Sequence, residues 1–147
     1  MIRKRIPKKD DGILFELVDK LLLPYARQTM PELRLSMPII RKRLNRCMTY
    51  VDASSGGQAI GFVSLKPEKD ILFVDMLAVN PRYQGAGVGS RLMRQAERVA
   101  ELQGSGSIQL WVDDINGNAQ RFYMRHGFEP VHYDPRLRCY LMAKRLR

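Results

Sequence analysis

Gly85, Gly87 and Gly89 stand at alternate positions in Gln84-Gly85-Ala86-Gly87-Val88-Gly89-Ser90, between an apolar run and a helical pattern. Of all the residues in the chain, these have the spacing that most directly implies chemistry. Positions without side chains can take φ > 0 and leave backbone N–H groups uncovered. A helix starting at the same place adds its own unpaired donors and a partial positive charge. Together these suit a phosphate or pyrophosphate. A strand-to-helix turn with no ligand also uses glycines, so the surroundings must decide. A second candidate is Asp75, the only charge in the apolar run 71–79. A carboxylate there must be solvated, paired or functional.

The spacing excludes two common nucleotide sites. A dinucleotide fingerprint requires Gly-x-Gly-x-x-Gly, and here the sixth position is Ser90. Asp113 could mimic the ribose-binding acid, but a single βαβ crossover is too little for a doubly wound domain. A P-loop requires Gly-Lys-Ser/Thr after four intervening residues, and no such lysine follows. Cys47 and Cys139 are far apart with no Cys-x-x-Cys or Cys/His cluster, so no zinc site or disulfide framework is expected and no metal is required. Both read as reduced, structural thiols.

The elements that must position these residues follow from periodicity. At 147 residues, with 45% hydrophobic and 27% charged positions, the chain reads as one folded domain spanning 1–147. Residues 2–6 suggest a short strand. Asp10 or Asp11 is expected to precede a helix carrying Leu14, Leu17, Val18, Leu21 and Leu22, bounded by Pro24. A second helix is expected after Pro38. Strands at 47–53, 58–65 and 71–79, separated by Ser54-Ser55-Gly56-Gly57 and a turn at 67–70, should form an antiparallel meander. Val88, Leu92, Ala96, Val99 and Ala100 form a one-sided helix ended by Gly104 and Gly106. A strand at 107–112, a helix capped by Asn116 or Asn118 and stopped at Gly127, and a strand at 138–144 complete the chain. The order is irregular, so the sheet should be mixed.

At Leu77-Ala78-Val79, Pro81 and Gln84-x-x-Gly87-x-Gly89 the chain resembles the acetyl-coenzyme A signature of the GNAT N-acetyltransferases. Asn116-x-x-Ala119-x-x-x-Tyr123 followed by His126-Gly127-Phe128 resembles that family's next motif, in the right order. The resemblance covers roughly residues 71–131. It implies an α/β (α+β) single-domain fold, with a mixed, mostly antiparallel sheet flanked by helices and the coenzyme in the splay between two parallel strands. It also implies that amides of Gln84, Gly85, Ala86, Gly87, Val88, Gly89 and Ser90 hold the coenzyme pyrophosphate. The strand ending Leu77-Ala78-Val79 would carry a bulge and offer free backbone to the pantetheine arm, with an amide near Leu77 polarising the acetyl carbonyl. Asn116 and Ala119 join the coenzyme contacts, Asn116 also as a helix cap.

By the same resemblance Tyr123 takes the position whose hydroxyl bonds the coenzyme sulfur and serves as general acid, though its helical face would equally suit core packing. Asp75 is the candidate base, directly or through water, against the alternative of an ion pair. Phe73 stands where some relatives carry a glutamate base. His126 reads as a helix-end residue held by C-terminal carbonyls.

The donor implied is acetyl-CoA, and the acceptor an amine: a small molecule, a peptide N-terminus or a lysine. Residues 21–46 should help shape the acceptor site. There Met30 and Met37, with Met48 beyond, offer a pliable apolar wall, and Arg27, Arg34 and Arg41 a pull on an acidic acceptor, beside ordinary core and surface roles. Dimerisation is common in that family. A net charge of +10 favours anionic partners. Two other readings stay open: a catalytically silent acyl-CoA-binding regulator, and a nucleic-acid-binding module, which lacks a clustered aromatic-basic motif. No apolar run reaches the ~18 residues of a membrane span. The basic start is followed by a stretch that Glu16, Asp19 and Lys20 interrupt, so no export signal is read and a cytoplasmic location is expected.

Overall fold

The computed structural model describes residues 1–147. Seven strands form one sheet in the order β1-β2-β3-β4-β5-β7-β6. They are β1 (Ile2–Lys4), β2 (Met48–Ala53), β3 (Ala59–Glu68), β4 (Ile71–Val79), β5 (Ser107–Asp113), β6 (Glu129–Asp134) and β7 (Cys139–Arg145). Every neighbouring pair is antiparallel except β4 and β5, which gives the expected mixed sheet. Successive residues of a strand face opposite sides, and Phe62 and Val63 of β3 accordingly enter different cores. The Phe62 side is covered by α1 (Pro7–Leu17) and α3 (Met37–Asn45). The Val63 side is covered by α4 (Val88–Gln103) and α5 (Gly117–Arg125).

Two irregularities of β4 prepare the site. First, β4 and β5 pair at only three rows, Ile71–Ser107, Leu72–Ile108 and Phe73–Gln109. β5 then runs on with β7 as far as Asp113–Cys139, while β4 follows β3 to Val79–Gly61. From Val74 onward the β5-facing edge of β4 has no strand partner, and this is the expected splay. Second, Ser64 pairs Met76 whereas Leu65 pairs Val74, which leaves Asp75 as the extra residue of a β-bulge. The bulge shifts the phase of the strand. Leu72 and Val74 face the α4 core before it, Met76 and Ala78 face the α1–α3 core after it, and Leu77 and Val79 now turn toward α4.

Four sequence expectations are corrected. The first helix begins at Pro7, not after Asp10 or Asp11, because Pro at the first turn lacks only a donor that would be unpaired anyway. Asp10 instead accepts the Ile6 N–H at 2.7 Å from inside the helix. Asp10 and Asp11 are buried against Arg3 and Arg5, with N···O distances of 2.7 and 2.6 Å. Pro24 does not end the helical run. A π-helical turn over Val18–Leu22, closed by Leu23 N–H to the Val18 carbonyl, is followed by α2 (Leu23–Ala26), where Pro24 takes a first-turn position. β3 continues through Pro67 to Glu68, and the turn is confined to Lys69 (φ 54°) and Asp70. Finally, β6 was not expected at all. It is an edge strand with five exposed residues before Asp134 and Pro130 within it, so it presents no apolar alternation to read.

Candidate functional site

A cleft of about 690 Å³ opens where β4 leaves β5. Its walls are Leu77, Ala78 and Val79 of β4, the glycine turn, the first turn of α4, one side of α5, and Leu21, Leu22 and Tyr25 from the π turn and α2. Of the turn residues, Gln84, Gly85, Gly87, Val88, Gly89 and Ser90 line it, and Ala86 does not. Gly85 and Gly87 have φ of 82° and 80°, a left-handed backbone that side chains disfavour. Gly87 is the N-cap of α4. The N–H groups of Gly85, Gly87, Val88, Gly89 and Ser90 find no protein acceptor, whereas Ala86 N–H bonds the Tyr83 carbonyl at 3.2 Å. The outcome is a row of orphan donors at the positive end of a 16-residue helix. At Gly89 an added Cβ would sit 3.0 Å from the Phe122 ring, so the two helices meet there too closely for a side chain.

Asn116 is the N-cap of α5, its Oδ1 accepting the Ala119 N–H at 3.2 Å, and both residues line the cleft. Tyr123 lines the cleft and is also part of the core under α4. Its ring is 8% exposed and packs edge-on against Phe122 and Phe128, with centroids 5.2 and 5.7 Å away. Its hydroxyl has no protein partner, yet no buried side-chain oxygen or nitrogen lacks one, so the hydroxyl opens on the cleft. Burial pushes the phenol above its ordinary range and keeps it protonated. His126 closes α5 as expected, its N–H bonding the Tyr123 carbonyl. Its Nε2 also lies 3.1 Å from Ser90 Oγ. Burial lowers the imidazole pKa, opposed by Glu97, with Lys144, Arg125 and Arg94 lowering it further.

Asp75 lies elsewhere. At the bulge it faces α3, where Arg43 Nε and NH2 donate to its two oxygens at 2.7 and 3.0 Å, and it is absent from the cleft wall. The ion-pair alternative therefore describes its geometry. Cys47 beside it and Cys139 on β7 are free thiols, each pushed up to about 11 chiefly by burial, which leaves them protonated and poor nucleophiles. Met30, Met37 and Met48 do not reach the cleft. Arg27 bonds the Leu33 carbonyl and Arg41 pairs with Asp11.

Several wall residues were missed in the sequence. Asn118, Arg121 and Arg125 follow one another at helical spacing along α5, a signal that was there to read. Arg121 and Arg125 are the only charged side chains in the wall. Leu21, Leu22 and Tyr25 fall in the 21–46 stretch that the resemblance gave to the acceptor site, although nothing in their types distinguishes a cleft wall from a core. No helix is long and apolar enough to cross a membrane, and no cluster of three metal-binding side chains exists.

Residues 15–128 match the profile of the Acetyltransferase (GNAT) family. Streptothricin acetyltransferase of Streptomyces lavendulae is 34% identical over 82 residues, 54% of this chain and 43% of that one. The N-alpha-acetyltransferase RimI of Mycobacterium tuberculosis is 31% identical over 86 residues, 56% of this chain and 52% of that one. In fold, the PaiA N-acetyltransferase from Thermoplasma acidophilum, crystallised in complex with coenzyme A, matches with a TM-score of 0.75 at 21% identity over 99% of both chains. The chain spans less than two thirds of the length of the curated relatives it matches.

Proposed function

The chain belongs to the Acetyltransferase (GNAT) family, and from that premise we propose an acetyl-CoA-dependent N-acetyltransferase that moves an acetyl group onto a primary amine by direct attack in a ternary complex. One observation carries this reading. The orphan amides of Gly85 and Gly87 to Ser90 share a single cleft with the Tyr123 hydroxyl and the unpaired end of β4. Amides at a helix N-terminus bind the pyrophosphate, and Arg121 and Arg125 meet the coenzyme's remaining negative charge. The free edge of β4 beyond Phe73 bonds the pantetheine arm as a strand would, and an amide near Leu77 stabilises the developing oxyanion.

In the transfer, the amine nitrogen bonds to the acetyl carbon, the carbon–sulfur bond breaks, and the electron pair leaves on sulfur. Tyr123 donates a hydrogen bond to that thiolate. Its phenol is pushed well above the ~8.5 of a thiol, so complete transfer of its proton is uphill and hydrogen bonding does the stabilising. The cleft wall holds no carboxylate and no imidazole, so the amine must arrive neutral and lose its surplus proton to water. At pH 7 an α-amine near ~7.8 has roughly 300-fold more of its neutral form than a lysine near ~10.4, which favours amines of low pKa.

Thermal stability tests the donor. Acetyl-CoA or coenzyme A at 100 times its dissociation constant adds ~2.7 kcal/mol, or roughly 5–10 °C in Tm for a chain of this size, whereas NAD and ATP leave Tm nearly unchanged. Equal shifts for all four would end this reading. Asp75→Asn tests the base: kcat/KM is expected to rise with pH along the acceptor's own titration, in the variant as in the parent protein. A rising limb present in the parent and lost in Asp75→Asn would restore Asp75 as the base.

A further inference from the structure

The geometry points to Arg91 as a positioning residue for coenzyme binding, which holds the glycine turn with its donors outward by anchoring it to buried Asp52; this rests on the reading of the cleft given above. Arg91 lies one turn into α4, outside the cleft wall. Its Nε donates to Asp52 Oδ2 at 2.8 Å, and its NH1 donates to the Ala86 carbonyl at 3.1 Å. Asp52, on β2, is completely buried, and its other oxygen accepts from the Met1 amino group at 2.6 Å. The guanidinium passes so close to the turn that a Cβ at Gly87 would sit 3.2 Å from NH1.

The consequence follows from the planarity of one peptide unit. Every peptide bond in the chain is trans, so the Ala86 carbonyl and the Gly87 N–H point in opposite directions. Holding the carbonyl at Arg91 therefore turns the Gly87 N–H away from Arg91. Gly87 lines the cleft and Ala86 does not, which agrees with a donor directed at the phosphates. Nothing else in the turn fixes this plane. Gly87 flanks the unit and, with no side chain, is the residue most able to let it rotate, and a rotated plane would present a carbonyl oxygen to an anion instead of a donor. Arg91 is well suited to the task because its planar fork bonds two acceptors at once from a rigid head, which an ammonium on a flexible stem does not do equally well. With its Nε committed to Asp52 and its NH1 to the Ala86 carbonyl, Arg91 acts here through geometry.

Isothermal titration with coenzyme A on the whole protein tests this, using Arg91→Lys, Arg91→Met and Asp52→Asn. All three are expected to weaken binding by about 10-fold, the value of one charge-assisted hydrogen bond. Lysine should not rescue, KM for acetyl-CoA should rise with kcat at saturation retained, and the Gly87 amide signal in the ¹⁵N spectrum of the coenzyme-free protein should move. Wild-type affinity in Arg91→Lys overturns the inference, since charge alone then suffices. So does wild-type affinity in Asp52→Asn or an unmoved Gly87 signal. If Arg91→Met fails to fold, the lysine and asparagine variants carry the test. A parent protein that binds no coenzyme A overturns the functional reading and this inference with it, whereas a parent that binds alongside variants that bind equally well overturns only this one.

Discussion

Tyr123→Phe is expected to lower turnover by about 100-fold while coenzyme A binding stays within about 3-fold of the parent protein. The substitution removes one oxygen and keeps the ring, so the edge-on contacts with Phe122 and Phe128 survive and Tm should change little. What disappears is a hydroxyl on the cleft wall whose ring is buried by packing and which makes no hydrogen bond within the protein. That arrangement suits a donor for a thiolate that exists only late in the reaction, because no competing bond must first be broken. Steady-state kinetics at saturating acetyl-CoA provide the measurement. An unchanged kcat would remove Tyr123 from the chemistry and leave it as a core residue.

Gly87→Leu should act on binding instead. Its φ of 80° places any side chain in the left-handed region, at a cost of about 1–2 kcal/mol, and its Cβ would press on Arg91. Rearranging the turn to relieve this misdirects several amides at once, and roughly 30-fold or more in coenzyme A affinity should be lost by titration calorimetry. Gly104→Leu is the matched control. Gly104 has φ 69° at the other end of the same helix, with nothing within 4 Å of an added Cβ. It should lose similar stability and no affinity. Equal affinities in the two variants would mean that the phosphates do not sit at the Gly85–Gly89 turn.

What could be read from the sequence was mostly what local rules determine. The glycine spacing, the Asn116 cap, the bounds of β4 and the end of α4 at Gly104 each depend on residues within a few positions of one another, where backbone conformation and periodicity act. The unpaired amide donors of the turn were legible for the same reason, whereas the coenzyme came only from the resemblance. Long-range partnerships were not. Asp52 meets Arg91 across 39 positions and Asp75 meets Arg43 across 32, and no property of either carboxylate announces its partner. Pro24 misled because the π turn before it removes the penalty an α-helix interior would impose. β6 was silent because an edge strand exposed on both faces has no hydrophobic pattern to display.

The bulge at Asp75 couples the length of β4 to the faces it presents. Every second residue of β4 is buried from one end to the other, yet the core that receives it changes at residue 75. Deleting that one residue would restore an unbroken ladder with β3 and leave composition and hydropathy almost untouched. It would leave Leu77 and Val79 on the cleft side and Met76 and Ala78 on the other, because Val74 and Met76 already pair with adjacent residues of β3; straightening the strand with Asp75 still in it would instead exchange the two sets. A nine-residue β4 is thereby committed to its kink, and in any set of functional variants a gap in this strand should be best tolerated at residue 75.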